Sequence, residues 1–581
     1  MEIRGKIVVW VIGAVFFVLI LRLFSIQVLD PSYRGRASRN VIKTKTVVPP
    51  RGTIYNRYGK VYVSNSPIFD LTITPRDLNI PDTSLLLNNL EMEKAELEKG
   101  IAKAKIFSDV KESILARYID PEEQSALSEQ LWGFGGIDFH VSNKRAYAYP
   151  VGANFLGYIS EVNKRDINSS DGYYQMRDMM GKSGIERKYE EDLRGEKGQK
   201  VILKDVYNRE VGSYGNGRLD ETAITGTDLM LGIDTDLQAF GEELMQNKRG
   251  SIVAIEPNSG EILAFVSSPS YNPGQLTGAE LGRNWNKLQE DTLNPLFNRP
   301  LMAEYPPGSI YKVAMALAAL NEGIITPHSY YGCGGGFKRN RGKPGCRFHI
   351  TPLALKDGIK YSCNSFFAAT YMDFLHSRKF ENIYEAFNTW RKYMVEMGLG
   401  RKLGVDIPYE EDGLIPKHNF YDRIYGENRW VATTIISNAI GQGEILMTPL
   451  QMANMAALIA NQGFYVTPHF VKARKKAGKN QKNVWEKISY DKNTTSIDKK
   501  HFQTVADAME QVVATGTARR AFIEDIVVCG KTGTVENPHG EDHATFICFA
   551  PKENPKIAVA VIIENSGGGG GRWAAPTASL M

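Results

Sequence analysis

An unbroken apolar run of 15 residues, Ile7–Leu21, opens this chain and governs how everything after it is arranged. Arg22 interrupts the run, and Leu23–Leu29 resumes it with only Ser25 and Gln27 polar. A helix over 7–29 would be about 35 Å long at ~1.5 Å per residue, enough to cross a hydrocarbon core of about 30 Å. Arg22 lies near one end, where its charged head can reach the interface. No small-x-small site closes the run, which favours an uncleaved anchor over a removed signal peptide. Arg34, Arg36 and Arg39 beyond the run outnumber Arg4 and Lys6 before it, but large domains translocate largely regardless of such charges. No second segment of 18 apolar residues follows, so the expectation is a short cytoplasmic tail (1–6), one anchor (7–29) and all remaining residues outside the cytoplasmic membrane.

Those remaining residues have the composition of globular domains. The 581-residue chain is 43% apolar and 23% charged, and 54 glycines with 26 prolines are too few for a collagen-like or low-complexity polymer. A net charge of +5 over this length gives no support to a nucleic-acid partner, and five cysteines cannot staple a disulfide scaffold. Disordered, fibrous and polytopic membrane classes are thereby excluded.

The pattern beyond the anchor is mixed, an α+β chain. Phe69, Leu71 and Ile73 alternate with Asp70, Thr72 and Thr74 as a half-buried strand. Leu85–Glu129, rich in Ala, Leu, Glu and Lys, predicts two helices broken near Pro121. Arg187–Gly198 reads as a helix closed by glycine, and Val201–Val211 as a strand. From near 226 the pattern changes. Asp228–Ile233 is strand-like, Thr235 and Gln238 suggest a capping box for a helix to about 246, and Ser251–Glu256 with Glu261–Ser267 suggest a hairpin. Ala432–Ala460 reads as mostly helical, interrupted at Gly441-Gln442-Gly443 and at Thr448-Pro449, and Lys472–Lys500 as a solvated insertion. Ile526–Thr534, Thr545–Ala550 and Ile557–Ile563 read as strands. The division expected is a β-rich domain over 30–225, with a helical head near 85–130, and a second domain over 226–581.

Three short motifs carry chemistry. In Tyr305-Pro-Pro-Gly-Ser-Ile-Tyr-Lys312, the prolines and glycine cannot be helix interior, whereas Ile310–Glu322 is Ala/Leu/Met-rich and ends at Gly323. Ser309 therefore opens a helix, where free N–H groups favour developing negative charge. Lys312, one turn on, shares its face. Apolar surroundings would depress the Lys312 amine and let it serve as a base. Three other Ser-x-x-Lys pairs (Ser108/Lys111, Ser489/Lys492, Ser496/Lys499) lie in charged stretches without this context. Ser362-Cys363-Asn364 sits between two predicted helices; its hydroxyl and amide could relay a proton and hold a substrate amide. Lys531-Thr532-Gly533-Thr534 follows an apolar strand. The glycine suggests close approach of another backbone, the Lys and Thr side chains could grip a carboxylate, and the alternative is an edge strand guarded by a lysine.

Singly these motifs say little. In this order, S-x-x-K, S-x-N and K-T-G are the signature of penicillin-binding proteins and serine β-lactamases. Further segments resemble the class B, elongation-type members. Pro50–Gly59 resembles their PRGxIxDRNG opening, departing at Asn56 and Tyr58 where Asp and Asn are usual. Arg145–Tyr158 and Gly181–Gly198 resemble their pedestal motifs, Leu296–Lys312 their active-site approach, and Gly441–Gln451 also matches. The resemblance implies a single transmembrane helix, an elongated pedestal, and a transpeptidase domain whose antiparallel sheet is flanked by helices. It implies a peptidoglycan DD-transpeptidase in which Ser309 attacks the penultimate D-Ala carbonyl and Lys312 takes its proton. The backbone N–H groups of Ser309 and Thr534 would form the oxyanion hole. Ser362 and Lys531 would pass a proton to the departing D-Ala, and Thr532 and Thr534, beside Gly533, would hold its carboxylate. The partners implied are peptidoglycan stem peptides, β-lactams and a SEDS-family glycan polymerase in the membrane, with no organic cofactor. A division-type transpeptidase, a β-lactam sensor or β-lactamase on the same core, and a scaffold with vestigial catalysis are the competing readings. Relatives usually continue past the equivalent of Trp573–Met581 into a closing helix.

Cys333, Cys346, His349 and Cys363 read C-x12-C-x2-H-x13-C, a Cys3His set suited to structural zinc. Some elongation-type members have a zinc site here, and Cys363, the middle residue of the second motif, would let it brace Ser362 and Asn364. A Cys333–Cys346 disulfide or free thiols are the alternatives. Cys529 and Cys548 are expected opposite each other as packed thiols, if their hairpin turns at Pro538-His539.

Overall fold

The computed structural model describes residues 2–29, 42–90, 92–205, 210–476 and 484–581. Arg34, Arg36 and Arg39, invoked in the charge bias, lie outside the described residues, as does the middle of the insertion expected over 472–500. The amino-terminal run forms a helix, Glu2–Phe24, continued by one wide turn over Ser25–Leu29. Its span Gly5–Gln27 has a mean hydropathy of 2.8 and none of it is buried, so it is long and apolar enough to cross a membrane.

Two sheets organise the rest. Strand Val61–Ile73 pairs along most of its length with Ile137–Tyr147, and on its other side with Ile54–Tyr55 and Ser113–Ile119. The same sheet continues through Asp228–Leu231, Val471–Lys475 and Glu486–Lys487, so it draws strands from both sides of residue 226. Part of the expected solvated insertion is thus sheet, and its Ala473 is buried. Between 85 and 129 the structure corrects the expected pair of helices. Thr83–Asn89, Lys94–Phe107 and Pro121–Gln130 are helical, but Ser113–Ile119 is a strand. Its Ile114, Leu115, Tyr118 and Ile119 suit a pleated surface, and pairing with the long strand outweighs the helical composition around it. Pro121 begins a helix, with Asp120 and Glu123 forming the capping box. This head has its own small core of Leu71, Leu86, Ile119, Leu127 and Leu131.

Val201–Val211 falls into two strands, Gly198–Lys204 and Glu210–Ser213, which form a separate sheet with Ile42–Val47. Asp234, not Thr235, caps helix Thr235–Leu244: its carboxylate accepts the N–H groups of Asp236 and Leu237. Thr235 instead accepts a hydrogen bond from Asn56 (3.0 Å), and Gln238 exchanges hydrogen bonds with the backbone of Phe265. The two departures in the opening segment thereby acquire a reason. Buried Asn56 accepts the N–H groups of Tyr58 and Lys60, and the Tyr58 hydroxyl reaches Asp234 at 2.6 Å.

The second sheet has five antiparallel strands in the order Ile262–Ser268, Gly250–Ile255, Ile557–Ile563, His543–Ala550, Cys529–Val535. The first two are buried at every position, so both faces are covered, as near-continuous apolar runs require. Helices Pro449–Ala460 and Lys499–Ala514 pack on it, as do Thr235–Leu244 and Ala574–Leu580. The last of these is a closing helix formed by the final residues themselves, with Met581 against Gly241. The interruptions expected at Gly441-Gln442-Gly443 and Thr448-Pro449 are present: Ile436–Ile440 (one 3-10 turn) ends at Gly441, and helix Pro449–Ala460 is capped by Thr448 and Gln451, while the rest of 432–448 is not helical. The hairpin between Val535 and His543 is centred on His539, so Cys529 faces Phe549 and Cys548 faces Gly530. That one-residue offset sends the two cysteines to opposite faces of the sheet, and both are buried, free thiols whose burial pushes them up to about 12.

Candidate active site

Ser309 occupies a 3-10 turn, Gly308–Tyr311, that runs directly into helix Lys312–Asn321. Gly308 sits at φ +58°, and a Cβ there would lie 2.7 Å from the Thr534 carbonyl oxygen. Glycine is what lets the serine turn press against the Lys531 strand. From the other side the Gly308 N–H donates to the Gly441 carbonyl at 2.8 Å. The serine is thus held between two backbones rather than by its own side chain: Ser309 Oγ has no hydrogen-bond partner among the described residues.

Lys312 through Leu320 are buried without exception. The Lys312 amine, expected to face Ser309, donates to the Ser362 carbonyl (2.8 Å), to Ser362 Oγ (3.2 Å) and to Asn364 Oδ1 (2.5 Å). Its complete burial lowers it to about 7, a fall only partly opposed by the thiols of Cys363 and Cys346. Ser362 lies at φ +56°, a conformation that costs a non-glycine residue on the order of 1 kcal/mol or more and clusters at functional sites. Here it aims the hydroxyl between two amines, because Lys531 Nζ also donates to Ser362 Oγ at 2.9 Å. Lys531 is fully buried as well, and burial together with the Lys312 charge holds it well below the usual lysine range. No carboxylate takes part in these contacts. Two ammonium groups on one hydroxyl would be unpaired buried charges, so at least one amine is neutral near pH 7.

The Lys531 strand, Cys529–Val535, is the outermost of its sheet, yet Lys531 points inward and is no edge guard. A Cβ on Gly533 would meet Thr545 Oγ1 at 2.1 Å and the Pro307 carbonyl at 3.1 Å, so the close backbone approach expected there exists, supplied by the chain itself. Thr534 faces Gly569, and the Gly570 N–H donates to the Gly533 carbonyl at 3.0 Å. Thr532 is buried and shares a 2.8 Å hydrogen bond with Thr517. Thr517, Gly441 and the run Gly567–Gly571 are site components without an assigned role in the sequence reading. Thr517 follows helix Lys499–Ala514 in a short Thr/Gly stretch that no spacing links to Lys531, and the glycine run resembles an ordinary loop.

Asn364 opens helix Asn364–Leu375 and donates to the Gly345 carbonyl at 2.6 Å, tying the second motif to the segment between Cys333 and His349. Cys333, Cys346, His349 and Cys363 converge, their four ligand atoms all within 4.8 Å of one another. Cys346 Sγ lies 3.8 Å from Cys363 Sγ and 3.2 Å from His349 Nε2. These separations suit ligands of one tetrahedral ion with bonds of about 2.0–2.3 Å. His349 Nδ1 contacts the Ile350 carbonyl at 2.7 Å, which turns Nε2 to the cluster as an outer partner of a metal ligand does. The hydrogen bond shared with Cys363 lowers the Cys346 thiol below its ordinary range. All described cysteines are free, leaving the Cys333–Cys346 disulfide unformed.

Comparison with known proteins accords with this geometry. Residues 250–580 match the family model of the penicillin binding protein transpeptidase domain, and residues 46–231 that of the penicillin-binding protein dimerisation domain. The chain belongs to the penicillin-binding transpeptidase family. Within it the likeness runs over nearly the whole chain to penicillin-binding protein 2, the elongation-type class B member. Peptidoglycan D,D-transpeptidase MrdA of Acinetobacter baumannii is 30% identical across 96% of this chain and 85% of its own length. Penicillin-binding protein 2 of Helicobacter pylori, solved in complex with MreC, superposes with a TM-score of 0.75 at 25% identity, covering 93% of this chain and 99% of that one. A chain from a peptidoglycan synthase complex described as coordinating polymerization and crosslinking gives a TM-score of 0.70 at 27% identity, covering 99% and 97%.

Proposed function

We propose that this protein crosslinks peptidoglycan stem peptides through an acyl-enzyme on Ser309, as the transpeptidase of lateral wall synthesis. One observation carries the assignment of roles: two buried lysine amines, on different elements, meet at the Ser362 hydroxyl. The Ser309 oxygen attacks the penultimate D-Ala carbonyl while neutral Lys312 takes its proton. The oxyanion is received by the backbone N–H groups of Ser309 and Thr534, whose segments are pressed together at Gly308. Collapse breaks the peptide bond, and the proton reaches the departing D-Ala amine through Ser362, between Lys312 and Lys531. Thr534, with Thr532 behind it, holds the D-Ala carboxylate, and Asn364 orients the substrate amide. The amine of a neighbouring stem peptide then displaces Ser309 as the crosslink forms; water in its place gives the carboxypeptidase product. β-Lactams acylate the same oxygen and persist.

The helix over 5–27 anchors the protein in the cytoplasmic membrane with its catalytic domain on the outer side, where stem peptides are found. A membrane glycan polymerase of the SEDS type is the partner that supplies strands. Cys333, Cys346, His349 and Cys363 hold one structural zinc ion, whose chemistry is to fix the 333–349 segment and, through Cys363 and the Gly345–Asn364 hydrogen bond, the second motif. Reconstitution with a polymerase and lipid-linked precursor tests the function: wild type forms crosslinked dimers and Ser309→Ala forms none. Crosslinking by Ser309→Ala at the wild-type rate would refute it. For the metal, protein purified without added metal should carry about one zinc per chain; less than a tenth of that, with an unchanged melting curve after chelation, would remove the site from the scheme.

A further inference from the structure

The segment joining the first two motifs carries a one-sided charge. Residues 323–356 contain six lysines and arginines and no aspartate or glutamate. Five of the six cluster at 338–347, all exposed, and among the described residues only Arg339 has an ion-pair partner, Asp373 at 2.9 Å. Lys338, Arg341, Lys343 and Arg347 make no side-chain hydrogen bond or ion pair among the described residues. The loop is nevertheless held in one shape. Phe337 is buried, its N–H donates to the Pro344 carbonyl (3.1 Å) and its carbonyl accepts from Gly342 (3.0 Å), while the Cys346 N–H donates to Gly335 (2.9 Å). Arg341 is fixed in a left-handed conformation at φ +52°. The base of the loop touches the catalytic cluster, because the Gly345 carbonyl accepts the Asn364 amide. Four free cations are thus presented on an ordered projection. Arg341 is four residues from Gly345, at most about 14 Å along the chain from the carbonyl that the Asn364 amide contacts.

From this placement, and resting on the transpeptidase reading, we propose that the loop face of Lys338, Arg341, Lys343 and Arg347 is a docking surface for an anionic peptide, the carboxylate-bearing part of a stem peptide beyond its reacting end. Like-signed charge on a cleft rim raises the local concentration of an oppositely charged substrate and confers salt dependence on its capture.

The test uses the full-length protein in detergent and the double variant Arg341→Glu/Lys343→Glu, with three readouts: acylation by benzylpenicillin, and turnover of a synthetic stem pentapeptide and of the same peptide with its side-chain and internal carboxylates amidated. The expected results are penicillin acylation within about twofold of wild type, a loss of about tenfold or more in kcat/KM for the carboxylate peptide, mainly through KM, and no such loss for the amidated one. Wild-type kcat/KM for the carboxylate peptide should also fall with added salt more steeply than for the amidated peptide. Equal effects on the two peptides, or none, overturn the docking surface. Should the charge-reversed variant fail to fold, Arg341→Gln/Lys343→Gln and the wild-type salt series decide the same question. Absence of penicillin acylation in the wild type would instead overturn the transpeptidase reading, so the two failures are separable.

Discussion

The burial that suits Lys312 to its proposed role as base works against stability. An amine that ordinarily titrates near 10.5 is held near 7 by burial, and each pKa unit corresponds to about 1.4 kcal/mol of difference between its two protonation states. The sign follows from linkage: between pH 7 and 10.5 the unfolded chain binds the proton that the folded chain has lost, so this residue's contribution to stability improves as pH rises through that window. Lys312→Met should therefore be catalytically dead yet at least as stable as wild type at pH 7, and more stable by up to a few kcal/mol, less the loss of its hydrogen bonds. Thermal unfolding measures this; a strongly destabilised variant would mean that the amine is held as a paired cation. The same depression predicts that acylation by penicillin accelerates as pH rises through about 7, when the base becomes neutral. A flat profile between pH 5.5 and 8.5 would contradict the assignment of Lys312 as base. Lys312 and Ser309 were legible in the sequence from the turn-to-helix context of their pair and from the order of the three motifs, because the spacing itself recurs elsewhere in the chain. The actual partner of the amine was not, because Ser362 is 50 residues away and reaches Lys312 only through a left-handed backbone conformation that no local pattern announces.

At the level of elements, the site depends on the Lys531 strand lying flush against the Ser309 turn, and Gly533 is what permits it. In Gly533→Ala the new methyl would stand 2.1 Å from Thr545 Oγ1 and 3.1 Å from the Pro307 carbonyl, so the strand must retreat. Overpacking of this kind costs about 1–3 kcal/mol, and the gap it opens between Thr534 and Ser309 should lower the acylation rate by about 10²-fold or more, the scale of losing one oxyanion donor. Adding Thr545→Ala removes the clashing hydroxyl, itself without a hydrogen-bond partner, and should restore part of both losses. No restoration would show that Gly533 acts otherwise than by contact with Thr545. The strands of this sheet were readable because runs buried on both faces are apolar throughout. Ser113–Ile119 was misread as helix because its assignment depends on pairing with Val61–Ile73, a contact composition does not contain.

Across the whole molecule, a buried ion network ties the segments that marked the family to one another. Arg51 forks onto Glu186 and Glu190 at 2.7 Å each, and Arg145 meets Glu186 at 2.7 Å with its side chain fully buried. Burial alone would raise the Glu186 carboxyl, but Arg145 and Arg51 outweigh it and hold it below its ordinary value. Its stabilisation is present above the ordinary carboxylate range and is lost as pH falls through the folded value. Breaking such a pair leaves an uncompensated buried charge, so Glu186→Gln should destabilise the protein by about 3–5 kcal/mol, read as a lowered melting temperature. A change within experimental error would mean that the network is not closed in solution. These residues come from three segments spaced by 41 to 139 positions, so their shared role was invisible to periodicity and only the resemblance drew them together.

The direct measurement is intact mass after exposure to benzylpenicillin, followed by peptide mapping of the adduct. One penicilloyl group per chain, mapped to Ser309 and persisting for many minutes, is the predicted result. An adduct on another residue, or none while the protein remains folded, would contradict the assignment of Ser309 as the nucleophile.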